Sequence, residues 1–206
     1  EGVLWFGTGS GLSRWNPRGT VKFTRADGLP NNFIDGLTED NDGRLWVATD
    51  GGLCRWDGKR FVALTTAHGL AHNVINAVHR DRRGMIWVAT VNGLSRWDGK
   101  QFTTFRRSDG LAENRVMCIA EDSQGHLWFG TSETGVSRWD GRRFENFTTA
   151  DGLADNSVRA ITQDRNGLIW FGSQAGRIGI TRWNGRRFEA LTEAKGLPGN
   201  AVRALL

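Results

Sequence analysis

The amino-acid sequence predicts an all-β protein, and more narrowly a five-bladed β-propeller with four antiparallel strands in each blade. The first observation is a repeat of about 41 residues along the whole chain of 206, marked by Trp5, Trp46, Trp87, Trp128 and Trp170. The second is the return of turn signals such as Asp57-Gly58 in each repeat. The third is that no segment has the apolar spacing of a helix. This combination is typical of propeller blades.

The second repeat shows the pattern of a whole blade. Its strands are predicted at residues 33–38, 44–49, 53–56 and 59–64, and residues 65–70 form the loop to the next blade. The strand at 44–49 is apolar on both faces, so we expect it between two other layers of structure. The turn before it ends at Gly43, where we predict a positive φ.

The repeats are predicted to form one domain over residues 1–206. The first blade is split, with residues 200–206 joining residues 1–25, and the other blades cover residues 32–66, 73–106, 114–149 and 156–192. Residues 201–206 align with the first strand of a blade, and residues 3–8 align with the second. We predict that they pair and close the ring, because no repeat resembles a polar terminal cap. Closure within one chain and association with another copy both remain open.

The composition argues against several functions. The 27 basic and 22 acidic residues give a net charge of +5, but the signs are interleaved, so we expect no nucleic-acid partner. No apolar run reaches the roughly 20 residues of a membrane span, so we expect no membrane contact by this segment. Cys54 and Cys118 lie at unrelated repeat positions that hold small residues elsewhere. Because neither a metal-ligand spacing nor a nucleophile motif is present, we predict no cofactor, no metal and no enzymatic activity.

Side chains that recur in every repeat are interpreted as structural. The ten tryptophans are expected to staple neighbouring blades together rather than to stack on sugars. Arginines before the second tryptophan of each repeat should stack on aromatic rings and pair with turn carboxylates. We expect an asparagine before each first strand, and an aspartate in each first hairpin, to bond to turn backbone. These sets are Arg14, Arg55, Arg96, Arg138 and Arg182; Asn32, Asn73, Asn114, Asn156 and Asn200; and Asp40, Asp81, Asp122 and Asp164.

Function is expected where the repeats differ. One position of the innermost strand varies between blades, and the next position is always small, as close packing near an axis requires. The variable residues, together with one arginine two positions earlier, are Asp35, Asn76, Arg115, Met117, Arg159 and Arg203. We predict that this column lies at the mouth of the central channel and binds an acidic or polyhydroxylated small ligand or glycan. The competing interpretation is a water-filled pore whose charges neutralise each other.

The repeated text resembles a known family. Gly43-Arg44-Leu45-Trp46-Val47-Ala48-Thr49, Gly93-Leu94-Ser95-Arg96-Trp97-Asp98-Gly99, then a phenylalanine and a later Gly-Leu pair are similar to regulator-propeller repeats. These repeats form sensory ectodomains of bacterial two-component regulators, including hybrid sensor kinases. The resemblance implies a ligand-sensing propeller without chemistry of its own and an extracytoplasmic, periplasmic location. The alternative is an engineered or excised propeller fragment with a purely structural or assembly role, and a lectin is a weaker one.

Overall fold

The computed structural model describes residues 2–173 and 179–191. In that part of the chain, 19 antiparallel strands form five sheets, and no α-helix is present. The all-β prediction is therefore confirmed. The chain divides into two compact units, Glu1–Thr104 and Phe105–Leu206, which are described one at a time. The assignment of all residues to a single domain stays a prediction.

The first unit holds three sheets built from consecutive hairpins. A three-stranded sheet is followed by two four-stranded sheets in the orders β4-β5-β6-β7 and β8-β9-β10-β11. The last strand, β11, ends one residue past the boundary between the units. The strands are β1 Leu4–Thr8, β2 Gly11–Asn16, β3 Gly19–Phe23, β4 Ile34–Glu39, β5 Leu45–Thr49, β6 Gly52–Trp56, β7 Phe61–Leu64, β8 Ile75–Arg80, β9 Ile86–Thr90, β10 Gly93–Trp97 and β11 Phe102–Phe105.

The second unit holds two four-stranded sheets of the same design. Their strand orders are β12-β13-β14-β15 and β16-β17-β18-β19. Four strands in sequence order, joined by hairpins, are the expected content of one blade. The strands are β12 Val116–Glu121, β13 Leu127–Thr131, β14 Val136–Trp139, β15 Phe144–Phe147, β16 Val158–Gln163, β17 Ile169–Ser173, β18 Ile180–Trp183 and β19 Phe188–Leu191.

The second strand of each complete sheet carries the core. All five residues of β5 are buried, and the same is true of β9 and of β13. In β5, Trp46 and Val47 point to opposite faces of the sheet and are 1% and 0% exposed. A strand buried on both faces lies between two other layers, as the apolar pattern of residues 44–49 predicts.

Short turns join the strands with the predicted chemistry. Gly43 has a φ of 74°, in the left-handed region that favours glycine. The segments between sheets, predicted as loops, each contain one short 3-10 turn: Arg25–Asp27, Thr66–His68, Arg107–Asp109 and Thr149–Asp151. At the first of them, Thr24 and Asp27 cap the turn reciprocally. This reciprocal cap explains why a threonine and an aspartate three residues apart precede the Gly-Leu pair.

The first sheet has three strands, against four in each of the others. The three N-terminal strands predicted for the split blade are present. The predicted partner of β1, residues 201–206, lies outside the described residues. In β1, Leu4 is 53% exposed and Phe6 is 50% exposed, whereas the equivalent residues of β5 are buried. Among the described residues, none pairs with the outer edge of β1 or fully covers the face that carries Leu4 and Phe6.

Candidate functional site

The variable column of the innermost strands coincides with a β-bulge. In the second sheet, Ile34 is the register partner of Thr49 and Gly36 is the partner of Ala48, so Asp35 is an extra residue on β4. A classic bulge leaves the extra residue out of the ladder and redirects its side chain. The same register shift occurs in each complete sheet, and the extra residues are Asp35, Asn76, Met117 and Arg159.

The residue after each bulge is small because a neighbouring sheet approaches it closely. A Cβ built on Gly36 would lie 3.4 Å from the backbone nitrogen of Val78 on β8. In the second unit, the Sγ of Cys118 lies 3.7 Å from the carbonyl oxygen of Val158 on β16. Burial raises the pKa of this thiol to about 12. Cys118 therefore behaves as a packed small side chain, as its repeat position predicts.

Two bulge residues of the first unit bring polar groups to one end of their sheets. Asn76 is partly buried and Asp35 is exposed. Partial desolvation by its surroundings, and then the charge of Asp50, raise the pKa of Asp35 to about 6. Because this carboxyl still contacts solvent, we expect water to screen much of that effect. The site offers hydrogen-bond acceptors and a carboxyl group whose pKa is raised above its ordinary value.

The second unit has a basic character at the same position. Arg115 and Arg159 are both exposed, and Met117 is partly buried. Neither guanidinium makes an ion pair with another residue in the described part of the chain. Arg203 lies outside the described residues. The two groups of residues belong to separate units, so their predicted convergence on one channel stays a prediction.

The repeated tryptophans and arginines have the predicted structural role. The guanidinium carbon of Arg55 lies 5.5 Å from the ring centre of Trp46, and that of Arg138 lies 5.5 Å from Trp128. The ring centres of Trp46 and Trp97, on adjacent sheets, are 6.2 Å apart. Cation–π stacking of this kind stabilises a partly buried arginine. The expectation that these arginines pair with turn carboxylates is wrong for Arg138 and for Arg182.

These two arginines pair instead with a glutamate on the outermost strand. Arg138 forms an ion pair with Glu145, its direct cross-strand partner on β15. Arg182 pairs with Glu189 on β19 at 2.8 Å. Directly opposed residues on one face of a sheet are close enough for such contacts, whereas the turns lie at the end of the hairpin. The strand register decides which carboxylate is in reach.

The repeated asparagines and aspartates bond to turns as predicted. The Oδ1 of Asn73 accepts a 2.9 Å hydrogen bond from the backbone nitrogen of Thr66, in the preceding 3-10 turn. Asp122 accepts bonds from the backbone of His126 at 2.9 Å and from the indole of Trp128 at 3.0 Å. Burial opposes ionisation of Asp122, but the bonds from Trp128 and His126 prevail and lower its pKa. The indole bond was missing from the interpretation of the sequence.

Clefts at the opposite ends of the sheets also escaped prediction. In the first unit, one cleft of about 260 Å³ is lined by Asp40, Trp46, Arg55 and Trp97 among others. The second unit has a related cleft of about 280 Å³ that contains Arg138. Both lie beside the first and third hairpin turns, away from the bulges. The signal that could have located them is the recurrence of tryptophan, arginine and an Asp-Gly or Asn-Gly turn in each repeat.

Other kinds of site find little support in residues 2–173 and 179–191. In these ranges, no cluster of three His, Cys, Asp or Glu side chains could hold a metal ion. None of their helical segments has the length and apolar character needed to cross a membrane.

Comparison with known proteins identifies the repeat. The profile of the two-component regulator propeller family matches residues 28–51, 69–92, 110–133 and 152–175. Each match begins at the glycine that directly follows a 3-10 turn and covers the bulged first hairpin of a sheet. No curated protein sequence matches the chain.

Solved structures with this fold include extracellular domains of two-component systems and a lyase. An extracellular domain assigned to a hybrid two-component system of B. thetaiotaomicron has a TM-score of 0.78 and 26% identity, over 88% of this chain and 26% of that one. A second such domain from B. thetaiotaomicron has a TM-score of 0.78 and 21% identity, over 93% of this chain and 29% of that one. Virginiamycin B lyase from Staphylococcus aureus has a TM-score of 0.73 and 16% identity, over 93% of this chain and 66% of the lyase.

The second domain and the lyase, each below 25% identity, are evidence for the fold alone. This chain spans about a quarter of the length of the first extracellular domain. The family assignment rests on the four profile matches, which recur at the period of the sheets and fall on equivalent strands. The chain contains four two-component regulator propeller repeats.

Proposed function

We propose that this chain is a ligand-sensing module without catalytic activity, from the extracytoplasmic part of a two-component regulator. The single observation that carries the proposal is the pair of exposed arginines in the second unit, Arg115 directly before β12 and Arg159 on β16. Neither has an ion-pair partner in the described part of the chain, although the sequence contains 22 acidic residues. The repeats around them are similar to those of sensor ectodomains.

An acidic or polyhydroxylated small ligand fits these groups. Guanidinium groups bind carboxylates and other oxyanions through paired N–H donors. The bulges in β12 and β16 support the proposal further, because bulges often redirect side chains toward ligands. The partly buried side chain of Met117 would add apolar contact area beside the charged groups.

The ligand test uses a double variant and a matched control. Arg115→Ala combined with Arg159→Ala removes both guanidinium groups, and Arg142→Ala removes an exposed arginine from a hairpin turn of the same unit. The melting temperature is measured with a panel of organic acids, sugar acids and neutral oligosaccharides. We expect at least one compound to raise the melting temperature of the wild type and the control but not of the double variant. A panel that shifts none of the three proteins, or shifts all three equally, would overturn the proposal.

We also propose that residues 201–206 complete the first sheet by pairing with β1. Support comes from the exposure of Leu4 and Phe6, whose counterparts Leu45 and Val47 are buried in a cluster with the first strand of their own sheet and with the preceding sheet. Val202 and Leu205 would occupy the positions that Ile34 and Leu37 hold on β4. Pairing an open edge would also remove a site for aggregation.

Deletion of residues 201–206 tests this closure. We expect a lower melting temperature and increased binding of a hydrophobic dye, because β1 loses its cover. An unchanged melting temperature would exclude the pairing. Light scattering on the wild type distinguishes closure within one chain from exchange between copies: the first predicts a monomer, and the second a concentration-dependent oligomer.

A further inference from the structure

One cleft of the first unit contains an arginine whose Nε donor is buried and unpaired among the described residues. The cleft lies between the second and third sheets, near the turns that follow β4 and β10, and has a volume of about 260 Å³. Arg55 projects from β6 with its guanidinium over Trp46. Its Nε is buried and has no hydrogen-bond partner in residues 2–173 and 179–191. A buried donor without an acceptor is unfavourable. The Nε of Arg14, at the same position of the first sheet, is in the same state.

The carboxylates of the cleft are already occupied. Asp40 accepts bonds from the indole of Trp46 at 2.9 Å and from the backbone of Arg44 at 2.9 Å. Asp42 forms an ion pair with the side chain of Arg44 at 2.5 Å. At the cleft rim, Asp98 accepts two backbone hydrogen bonds, which lower its pKa. None of these groups serves the Nε of Arg55.

The second unit shows how the same arginine position is satisfied. Arg138 is stacked on Trp128 in the same way and donates from Nη2 to Glu145 across the strand pair. At the same position of the next sheet, the Nε of Arg182 donates a 3.0 Å hydrogen bond to Glu189. The cross-strand partner of Arg55 is Val62, which has no acceptor to offer. The sheets are otherwise alike, so the first unit has the Trp–Arg stack without the carboxylate that completes it.

We propose that the cleft at Arg55 binds a small ligand carrying one carboxylate, which supplies the acceptor that Glu189 supplies to the Nε of Arg182. The exposed edge of Trp97 forms an adjacent wall, so a ligand with a flat apolar body is favoured over a bare anion. Asp40, Asp42 and Asp98 outnumber Arg44 and Arg55, so a ligand with several negative charges would be repelled. This site lies at the opposite end of the sheets from the bulges and is independent of the function proposed above.

Side-chain NMR of the arginine Nε–Hε groups tests the site on the full chain. The probes are benzoate, with acetate as the carboxylate that lacks an apolar body and sodium chloride as the ionic-strength control. We expect the Arg55 signal, assigned with Arg55→Lys, to move saturably with benzoate, at least about tenfold more weakly with acetate, and not with chloride. An Arg55 signal that benzoate leaves unmoved, or that chloride moves equally, would overturn the proposal.

Two variants that exchange the residue types opposite Arg55 and Arg138 provide the matched control. Val62→Glu places a carboxylate opposite Arg55 and should weaken benzoate binding at least tenfold. Glu145→Val removes the partner of Arg138, and the related cleft of the second unit should then bind benzoate. Undiminished binding by the Val62→Glu variant would contradict the mechanism. The Arg115→Ala, Arg159→Ala double variant should bind benzoate at Arg55 normally, so failure at one site does not decide the other.

Discussion

The indole Nε1 of Trp87 donates a 2.8 Å hydrogen bond to Oδ2 of Asp81, six residues earlier in the turn between β8 and β9. The other oxygen of this carboxylate accepts backbone hydrogen bonds from Arg83 and Met85, so one side chain both shapes the turn and satisfies the indole. Both side chains are almost fully buried. The equivalent pairs are Trp46 with Asp40, Trp128 with Asp122 and Trp170 with Asp164.

Replacing this aspartate should destabilise the fold strongly. Asp81→Ala leaves the buried indole donor of Trp87 and two turn N–H groups without acceptors, at a cost of about 2–4 kcal/mol. Asp42→Ala, which removes an exposed ion pair, is the control and should cost less than about 0.5 kcal/mol. Urea unfolding followed by circular dichroism measures both. Equal effects of the two variants would contradict the role of the Asp–Trp bond.

Protonation of Asp122 should lower the stability of the folded protein in acid. Despite burial, bonds from Trp128 and His126 hold its folded pKa below the ordinary value, so the stabilisation is present above about pH 4. It should be lost as the pH falls through the lowered folded pKa. The wild type should therefore exceed Asp122→Asn in stability at pH 7, with the difference shrinking below pH 4. A difference that does not change between pH 7 and pH 2.5 would contradict this assignment.

Asp35 should have the opposite pH dependence. Its pKa of about 6 lies above the ordinary value, so the folded state loses stability as the pH rises from about 4 to 6. Asp35→Asn should stabilise the protein at pH 7, by less than about 1 kcal/mol because the group is exposed and screened. The gain should vanish below pH 4. Thermal unfolding over this pH range checks the prediction, and a loss of stability at pH 7 would refute it.

Substitutions at Cys118 and Gly130 should have coupled effects on the free energy of unfolding. They face each other on β12 and β13, and a Cβ at Gly130 would lie 2.5 Å from the sulfur and 2.6 Å from the carbonyl oxygen of Val158. Gly130→Ala should therefore cost about 1–3 kcal/mol. Adding Cys118→Ala recreates the Ala77–Ala89 pair of the third sheet and should recover part of that loss. A double-mutant cycle by chemical denaturation measures the coupling, and strict additivity would contradict it.

Much of the fold could be predicted from local patterns. The period of about 41 residues, the apolar run of Leu45–Thr49 and the Asp-Gly turns specify short antiparallel strands joined by hairpins. The roles of Asn73 and Asp122 in turns were also accessible, because both act on backbone within seven residues. The variable column was found by comparing repeats, and whether it binds a ligand stays a prediction.

Only the tertiary structure decided features that depend on register and on neighbouring sheets. The bulge at Asp35 arises from the pairing of β4 with β5, which alternation of residue types does not specify. The choice of Glu145 as partner for Arg138, and of no carboxylate for Arg55, follows from cross-strand positions. The sequence by itself determined the repeat and the family. Both depend on hairpins whose strands and turns lie close together along the chain. The clefts and unpaired arginines required the packed sheets, because their walls come from residues distant along the chain.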